Sequence, residues 1–435
     1  MRKIATLTGL VMIGALTWVP AGAARNCAWE TRIDPAVINT AYPDQFANYW
    51  ILVLPAVPGA TLTIHGVYPH ARYMSFVSYA ATLQSADGLA DVDIAPDPGS
   101  DNPFTAGHPR ATADAVRHYT VTVKYVGPGD TAPPIREPNT LYTTNPDGSK
   151  AGRAFTLIYR VYRPDAAHDD DITGGAGLPS VTYDAPDGTS IDLPSCAYPE
   201  FPANDLNQRV AAAGGTNSGG TIKHPGFDPP VWHKFQNFAR SLSQGLTENG
   251  YWGTTFSDAL KPVADALPNG GFADNPHNSY IFALLSHGYG QTAVFRAKLP
   301  VTPDTHPDAA VMPAGVQMRY WSMCSNDGPT QRYFGCVMDD GVRPTLDANG
   351  FYTLIVSTPA DRPMSVTNGT CGCVWLPWGP GGSVVLIMRN MLPDPTFANA
   401  IQRASYGTEQ QDMGSYYPAG CYLSAANFDV GARCP

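Results

Sequence analysis

Two histidines and one aspartate have the chemistry required for general acid–base catalysis. A histidine titrates near neutral pH, so His65 or His70 could exchange a proton with substrate while Asp327 assists. All three occur where the two halves of a duplicated sequence differ; Arg296, for example, takes the place of His65. Asp339-Asp340 is a further acid pair found in one half only. An ordinary surface acid or a hydrogen-bonded histidine is the simpler interpretation of each residue, and general acid–base chemistry is the alternative.

Four arginines lie inside apolar strand patterns and form two matched pairs. Arg72 corresponds to Arg319, and Arg160 corresponds to Arg389. A guanidinium in such a position is costly unless it is paired. In a structural interpretation each arginine pairs with an acid or with loop carbonyls, and duplication preserves the pairing. In a functional interpretation the four converge at the seam between the halves and bind a carboxylate, a phosphate or a sugar acid.

Aromatic residues are concentrated in the second half. Trp321 follows Arg319 closely, and Trp375-Leu376-Pro377-Trp378 comes later. Packing in the core is the ordinary explanation, and a stacking platform for sugar rings is the alternative. The predicted ligand site therefore combines the four arginines with Trp321.

Motifs for metals and cofactors are missing. The carboxylate-rich loops at 91–104 and 168–171 do not have the spacing of an EF-hand, which leaves calcium binding open. The chain also lacks the Gly-x-Ser-x-Gly elbow, the His-Glu-x-x-His motif, the P-loop and the dinucleotide fingerprint. Well-marked hydrolase, zincin and nucleotide chemistries are therefore disfavoured, although glycosidases and lyases carry no such local motif. We predict no cofactor and no metal site, with calcium binding as the one open question.

The eight cysteines predict disulfides, because an even number in an exported chain favours bridges over metal ligation. We favour Cys324–Cys336 and Cys421–Cys434, which close short loops, and Cys27–Cys196, which joins the ends of the first half. Cys371-Gly372-Cys373 remains, with a spacing that is tight for an unstrained bridge. A redox role, a strained bridge and a different pairing all stay open there.

Matched sequence blocks indicate an internal duplication. Tyr49 and Tyr280 are 231 residues apart, as are Pro69 and Pro300. The separation is 247 residues between Arg72 and Arg319, 233 between Tyr119 and Tyr352, and 229 between Arg160 and Arg389. Four blocks in the same order predict the domain organisation and say little about the chemistry.

Each half has the pattern of an antiparallel sheet protein, with runs rich in Thr, Val, Tyr and Ile between Pro and Gly turns. We predict strands at 49–54, 61–68, 72–79, 118–126, 155–162, 280–286, 292–299, 318–325, 352–357 and 383–389. The predicted fold is all-β and mainly antiparallel, with two duplicated β-sandwich domains and a short helical insertion between them.

Helical periodicity is predicted in three places. Asp228 can cap a helix that carries Trp232 and Phe235 on one face; a second pattern spans 256–267, and a third begins at Asp394 and ends at Arg403. The predicted boundaries are a signal peptide at 1–23, the first sandwich at 24–203, a helical insertion and linker at 204–272, and the second sandwich at 273–435.

The N-terminal residues have the pattern of an export signal, with a basic start, an apolar run and the small residues Ala21-Gly22-Ala23. The formal net charge is −10, and loss of Arg2 and Lys3 with the signal would leave −12. This excess of acid argues against nucleic-acid partners. We predict a secreted or extracytoplasmic protein without an integral membrane segment after cleavage, and its oligomeric state is left open.

Several blocks together resemble a family of uncharacterised secreted bacterial proteins. They include Pro69-His70-Ala71-Arg72-Tyr73-Met74-Ser75-Phe76, Tyr159-Arg160-Val161-Tyr162, Arg319-Tyr320-Trp321-Ser322 and Arg389-Asn390-Met391-Leu392-Pro393. That family is similar to the paired β-sandwich domains of unknown function in bacterial envelope proteins. The resemblance implies a fold and an exported location, and it implies no catalytic residues.

Three functional hypotheses follow. The first is a secreted tandem β-sandwich that binds a small-molecule or saccharide ligand at the inter-domain cleft. The second is a lyase or hydrolase that uses His65 or His70 with Asp327 in that cleft. The third is a structural envelope protein without a ligand.

Overall fold

The computed structural model describes a defined set of residues. These are 27–33, 39, 41–79, 84–105, 108, 113–126, 133, 135–143, 154–196, 228–237, 240, 270, 273–304, 312–328 and 331–434. The predicted signal peptide, most of the predicted linker and the helical pattern at 256–267 lie outside them.

The first half contains two five-stranded sheets. The strands are β1 (Thr31–Ile33), β2 (Ala47–Pro55), β3 (Thr61–Val67), β4 (Ala71–Tyr79), β5 (Ser85–Ala90), β6 (His118–Lys124), β7 (Thr140–Tyr142), β8 (Ala154–Pro164), β9 (Ser180–Asp184) and β10 (Ser190–Leu193). One sheet has the order β1-β2-β8-β4-β5, and the other has the order β10-β9-β3-β6-β7.

The second half repeats this plan. Its strands are β11 (His233–Lys234), β12 (Asn278–Ser286), β13 (Thr292–Lys298), β14 (Met318–Asn326), β15 (Tyr333–Met338), β16 (Phe351–Ser357), β17 (Val374–Pro377), β18 (Ser383–Pro393) and β19 (Ala419–Tyr422). The sheets have the orders β11-β12-β18-β14-β15 and β17-β16-β13-β19. The fold is two β-sandwiches, as the sequence predicts, and the ten predicted strands all form.

Strand pairing is equivalent in the two halves. Arg160 stands opposite Tyr49 and Ser75 in the first half. Arg389 stands opposite the matching residues Tyr280 and Ser322 in the second. Both halves also contain one parallel pair, β6 with β7 and β16 with β17.

Each sandwich has its own apolar core, and alternation along the strands fills it. In β2 the side chains of Trp50 and Leu52 point into the first core. In β14 those of Trp321 and Met323 point into the second. The strands β4 and β14 are buried along their whole length, which requires that both of their faces be covered. The second cover is supplied by the other sandwich.

Helices are short in the described part of the chain. They are α1 (Asp339–Val342), α2 (Met364–Thr367), α3 (Glu409–Met413) and α4 (Ala425–Asp429), with 3₁₀ turns at Asp91–Asp93, Asp114–Val116, Ala166–His168, Arg343–Thr345, Ile401–Arg403 and Gly414–Tyr416. No described helix has the length and apolar character needed to cross a membrane.

The helix predicted from Asp228 does not form over residues 228–237, where β11 pairs with Phe282 and Ile281. Arg240 is helical, and the rest of the predicted span lies outside the described residues. The cause is tertiary: the Trp232 indole is buried in the second core and donates a hydrogen bond to the Pro418 carbonyl at 2.7 Å. Burial of this large ring outweighs the local helical pattern.

The prediction of a helix from Asp394 to Arg403 is wrong. Only the 3₁₀ turn Ile401–Arg403 forms. Asp394 closes a tight turn through its carboxylate, which accepts the Thr396 backbone N–H at 2.8 Å. Asn390 accepts the Ile401 backbone N–H and fixes the end of the segment to β18.

Four disulfides are present. The structure joins Cys27 to Cys196, Cys324 to Cys336 and Cys421 to Cys434, which are the favoured pairings, and it joins Cys371 to Cys373. Four bridges are typical of an extracytoplasmic protein, since the cytosol keeps thiols reduced.

Candidate functional site

The sandwiches meet at the N-terminal ends of β4 and β14, in a contact zone that we call the seam. Here Arg72 and Arg319 face each other. A guanidinium nitrogen of Arg72 is 3.4 Å from the Arg319 carbonyl, and one of Arg319 is 3.5 Å from the Arg72 carbonyl. The two contacts are related by the approximate twofold symmetry of the duplication.

The charges of both arginines are neutralised by carboxylates of the opposite sandwich. Arg72 donates to both oxygens of Asp339, at 3.0 and 2.9 Å, and to both oxygens of Asp340, at 3.1 Å. Arg319 donates to Asp91 at 2.9 Å. These side chains are between 0 and 2% exposed, apart from Asp340 at 22%. The seam is therefore crossed by buried ion pairs in both directions.

Each acid is also held by its own sandwich. Asp91 accepts the Met74 backbone N–H at 2.9 Å, and Asp339 accepts that of Trp321 at 3.1 Å. Burial raises the pKa of both carboxyls, and the facing arginine is the main opposing influence. Asp339 is thus the structural counterpart of Asp91, so the prediction that the Asp339-Asp340 pair occurs in one half only is wrong for Asp339 and holds for Asp340.

Arg160 and Arg389 occupy equivalent places further along the seam. Arg160 donates to the Ala273 carbonyl at 2.8 Å, and Arg389 donates to the Tyr42 carbonyl at 2.7 Å. Ala273 and Tyr42 have matching left-handed backbone angles, with φ of 57° and 53°. In this conformation each chain segment presents its carbonyl to the arginine of the other half.

Two further side chains, which no sequence motif marks, make hydrogen bonds across the seam. Asp44 accepts hydrogen bonds from Tyr320, at 3.0 and 2.9 Å, and from Ser322, at 2.6 Å. Asn275, which lies 231 residues later, contacts Tyr73 at 3.2 Å in the corresponding way. The same 231-residue spacing as in Tyr49 and Tyr280 was the available signal.

His277 lies beside Asn275 and is a buried titratable group. Its Nδ1 is 2.8 Å from the Tyr73 hydroxyl, and Phe46 occupies the equivalent position in the first half. Burial, followed by the charges of Arg160, Arg136 and Arg319, lowers the pKa of His277 to about 3. The folded protein therefore holds this imidazole neutral.

The centre of the seam is filled by the protein itself. Besides the polar groups, a buried cluster lies between the sandwiches and comprises Ala47, Tyr73, Ala90, Tyr162, Tyr320, Met338 and Met391. All four predicted ligand-binding arginines thus lie at the seam, and each has an acceptor within the protein. This arrangement fits the structural interpretation, in which each arginine pairs with an acid or with loop carbonyls.

One edge of the seam differs between the halves. Asp340, which Val92 replaces in the first half, lies 3.4 Å from Arg343 and 4.0 Å from Arg163. Arg163 is replaced by Leu392 in the second half, and both residues have positive φ, 45° and 43°. We call Arg163, Asp340, Arg343 and Asp304 the Asp340 margin, since Arg343 also pairs with Asp304.

The predicted acid–base residues occupy separate environments. His65 is exposed on β3, and its Nδ1 is 3.0 Å from the Thr120 hydroxyl. His70 lies between β3 and β4, where its Nε2 is 2.8 Å from an oxygen of Asp114. Asp327 is buried at the end of β14 in the other sandwich. The contacts that hold the histidines come from the first half, so the acid–base prediction gains no support from them.

Trp321 lies in the core of the second sandwich, 1% exposed, with its ring 5.4 Å from that of Tyr352. A ring buried in this way has no face for a sugar. A shallow surface depression on the same sandwich is lined by Gln317, Asp394, Thr396 and Asn399, among others, and contains none of the predicted site residues.

Metal ligation is not favoured in the described residues. Asp44, Cys324 and Cys336 are the one group of potential ligands close enough to hold an ion. Because Cys324 and Cys336 are bridged, neither can supply a thiolate. Asp44 is used by Tyr320 and Ser322.

Replacing Arg319 with Met should destabilise the protein by about 3–5 kcal/mol, because Asp91 would be left charged and buried. Adding Asp91→Asn to this variant should recover part of the loss, since the amide carries no charge. Urea denaturation measures both effects. Arg296→Met removes an exposed pair with Asp347 and should cost no more than about 1 kcal/mol. Strictly additive losses for Arg319→Met and Asp91→Asn would contradict the pairing.

His277 should make the protein sensitive to acid. The unfolded chain binds a proton near pH 6.5, whereas folded His277 binds it only near pH 3, so stability is lost as the pH falls through this window. The loss is at most about 1.4 kcal/mol per pH unit. His277→Phe, which introduces the residue of the other half, should flatten this dependence. Denaturation midpoints from pH 7 to pH 4 test it, and identical slopes for both proteins would contradict it.

Comparisons with known proteins found similar solved structures only. No protein-family model and no curated protein matches it. A crystal structure of an uncharacterised protein from Burkholderia cenocepacia is similar, with 12% identity, coverage of 96% of this chain and 87% of that chain, and a TM-score of 0.48. One from Vibrio parahaemolyticus has 10% identity, coverage of 96% and 97%, and a TM-score of 0.39. Likenesses at this level carry no argument about function.

Proposed function

We propose that this protein is an extracytoplasmic binding protein that holds the carboxylate of a small ligand, such as a sugar acid, at the Asp340 margin. The observation that supports this most is the state of Arg163. Its side chain is 25% exposed, and its buried Nε has no hydrogen-bond partner among the described residues. The Nε itself is buried, but the side chain reaches solvent, and a partly exposed guanidinium suits a planar anion.

The charges of the margin support the same conclusion. The Asp340 carboxylate is engaged by Arg72 with both oxygens, and Arg343 is the next nearest guanidinium at 3.4 Å. Arg163 is furthest away, at 4.0 Å, which is beyond hydrogen-bond distance. Its charge is therefore the least compensated of the three.

The position of the margin also fits a ligand role. Arg163 belongs to the first sandwich, whereas Asp340 and Arg343 belong to the second. A ligand bound here would touch both halves at a place where the duplication is not preserved. The arginines that are preserved are already used within the seam, so ligand contacts fall to the residues that differ.

A structural envelope protein without a ligand is the second candidate. It is favoured by the buried cluster and the ion pairs of the seam, which need no ligand to hold the sandwiches together. The enzyme hypothesis has less support, because the contacts of His65 and His70 lie within the first half.

Isothermal titration with glucuronate and galacturonate tests the proposal, with glucose as the neutral control and inorganic phosphate as the second anion. Arg163→Leu, which introduces the residue of the other half, should weaken binding of the sugar acids by about tenfold or more. Arg296→Gln, at an exposed arginine outside the seam, should leave the affinity unchanged.

Two outcomes would contradict the proposal. If the native protein binds neither sugar acid, the structural candidate is favoured. If it binds them and Arg163→Leu binds equally well while remaining folded by circular dichroism, the site lies elsewhere. If the protein binds phosphate and neither sugar acid, the ligand of the site is a different anion and the carboxylate assignment is wrong.

A further inference from the structure

We propose that the Cys371–Cys373 disulfide is a redox-active site that oxidises pairs of thiols in another exported polypeptide. The sequence left three interpretations of this pair open, and the structure bridges it. The inference is independent of the proposed ligand site.

The ring that this bridge closes is far smaller than the other three. Cys371 and Cys373 are 2 residues apart, whereas the remaining pairs are 12, 13 and 169 residues apart. A disulfide stabilises a fold mainly by restricting the unfolded chain, and this effect grows with loop length. The Cys371–Cys373 bridge therefore contributes least to the fold and can open with the smallest loss of structure.

The bridge is partly accessible from solvent. It lies in the loop between α2 and β17, where Gly372 is exposed with open space around it, while the half-buried Cys371 and Cys373 pack on one side against an apolar cluster that includes Val366 and Phe428. Cys324, in contrast, is fully buried in β14, which lies between β15 and β18. Access for an attacking thiolate is a requirement of thiol–disulfide exchange, and exposed bridges are the labile or catalytic ones.

The surroundings hold the loop in place without the bridge. The backbone N–H groups of Thr370 and Cys371 both donate to the Ser365 carbonyl, at 2.8 and 3.2 Å. The carboxylate of Asp429 in α4 accepts the backbone N–H groups of Met364 and Ser365, at 2.9 and 3.0 Å. The two cysteines can therefore stay close together in the reduced state.

Two exposed apolar side chains belong to the elements that hold this loop. Met364, at the start of α2, is 62% exposed, and Val430, directly after α4, is 85% exposed. Asp429 joins the two elements through the backbone N–H of Met364. Exposed apolar side chains can contact a polypeptide that is not yet folded, because its own apolar side chains are uncovered.

The exchange balances within one turnover. A thiolate of the partner attacks one sulfur of the bridge, forms a mixed disulfide and releases the other cysteine as a thiolate. A second partner thiolate then attacks the partner's sulfur in the mixed disulfide. The partner gains a disulfide, and two electrons reduce Cys371 and Cys373 to the dithiol. A small-molecule disulfide, such as oxidised glutathione, can restore the bridge.

Equilibration of the full chain in glutathione buffers, followed by alkylation and peptide mass spectrometry, tests the redox claim. For each pair, the measured quantity is the square of the reduced glutathione concentration divided by the oxidised glutathione concentration at which half of that pair is reduced. This value should be at least about tenfold lower for Cys371–Cys373 than for any other pair. Reduction of Cys421–Cys434 at the same or a lower ratio would overturn the proposal.

Reaction with a reduced peptide that carries two cysteines among apolar residues tests the activity. One peptide should be oxidised per protein chain, and the double variant Cys371→Ser/Cys373→Ser should leave the peptide reduced. Met364→Ser/Val430→Ser should slow the reaction with this peptide about tenfold and leave the reaction with glutathione unchanged. Peptide oxidation by the double cysteine variant at the native rate would contradict the assignment.

Discussion

Burial of guanidinium groups at the seam is the constraint on which the rest of the structure depends. Arg72 and Arg319 are carried by strands whose two faces are both covered, so neither charge can reach water. Each acceptor carboxylate lies in the opposite sandwich. An association in any other arrangement would bury these charges without their partners, which costs several kcal/mol. The ion pairs therefore select one arrangement of the two sandwiches.

Duplication explains why this arrangement is made twice, and the departures from it show where chemistry can be added. The four arginines of the seam and the acids Asp91 and Asp339 are preserved. Other positions at the seam differ: Arg163 stands where the second half has Leu392, and His277 stands where the first half has Phe46. The Cys371–Cys373 bridge likewise belongs to the second half alone among the described residues. The two sandwiches thus share one fold, whereas each proposed site depends on residues found in one half only.

The sheets could be predicted from the sequence because their signal is local. Alternating β-branched and aromatic residues between Pro and Gly turns locate strands such as β3 and β13 within a residue or two of their ends. The helix expected from Asp228 does not form around Trp232, because this ring is buried in a core formed by distant strands. A local pattern contains no information about that contact.

The candidate site was predictable only in part. The burial of the four arginines follows from their apolar neighbours, but their partners lie at sequence separations as large as 347 residues, as in Arg389 and Tyr42. No spacing rule reaches that far. The matched spacing of Asp44 and Asn275 was visible, and yet one is charged and the other neutral, which concealed their common role. No sequence motif marks Arg163. It stands out only because its Nε has no hydrogen-bond partner among the described residues of the folded chain.

Differential scanning calorimetry of the native protein and of Arg72→Met/Arg319→Met tests the role of the seam most directly. If the sandwiches depend on each other, the native protein unfolds in one transition whose calorimetric and van't Hoff enthalpies agree. The double variant should then unfold at lower temperature and in two separate transitions. Two independent transitions in the native protein, unchanged by the double substitution, would contradict this account.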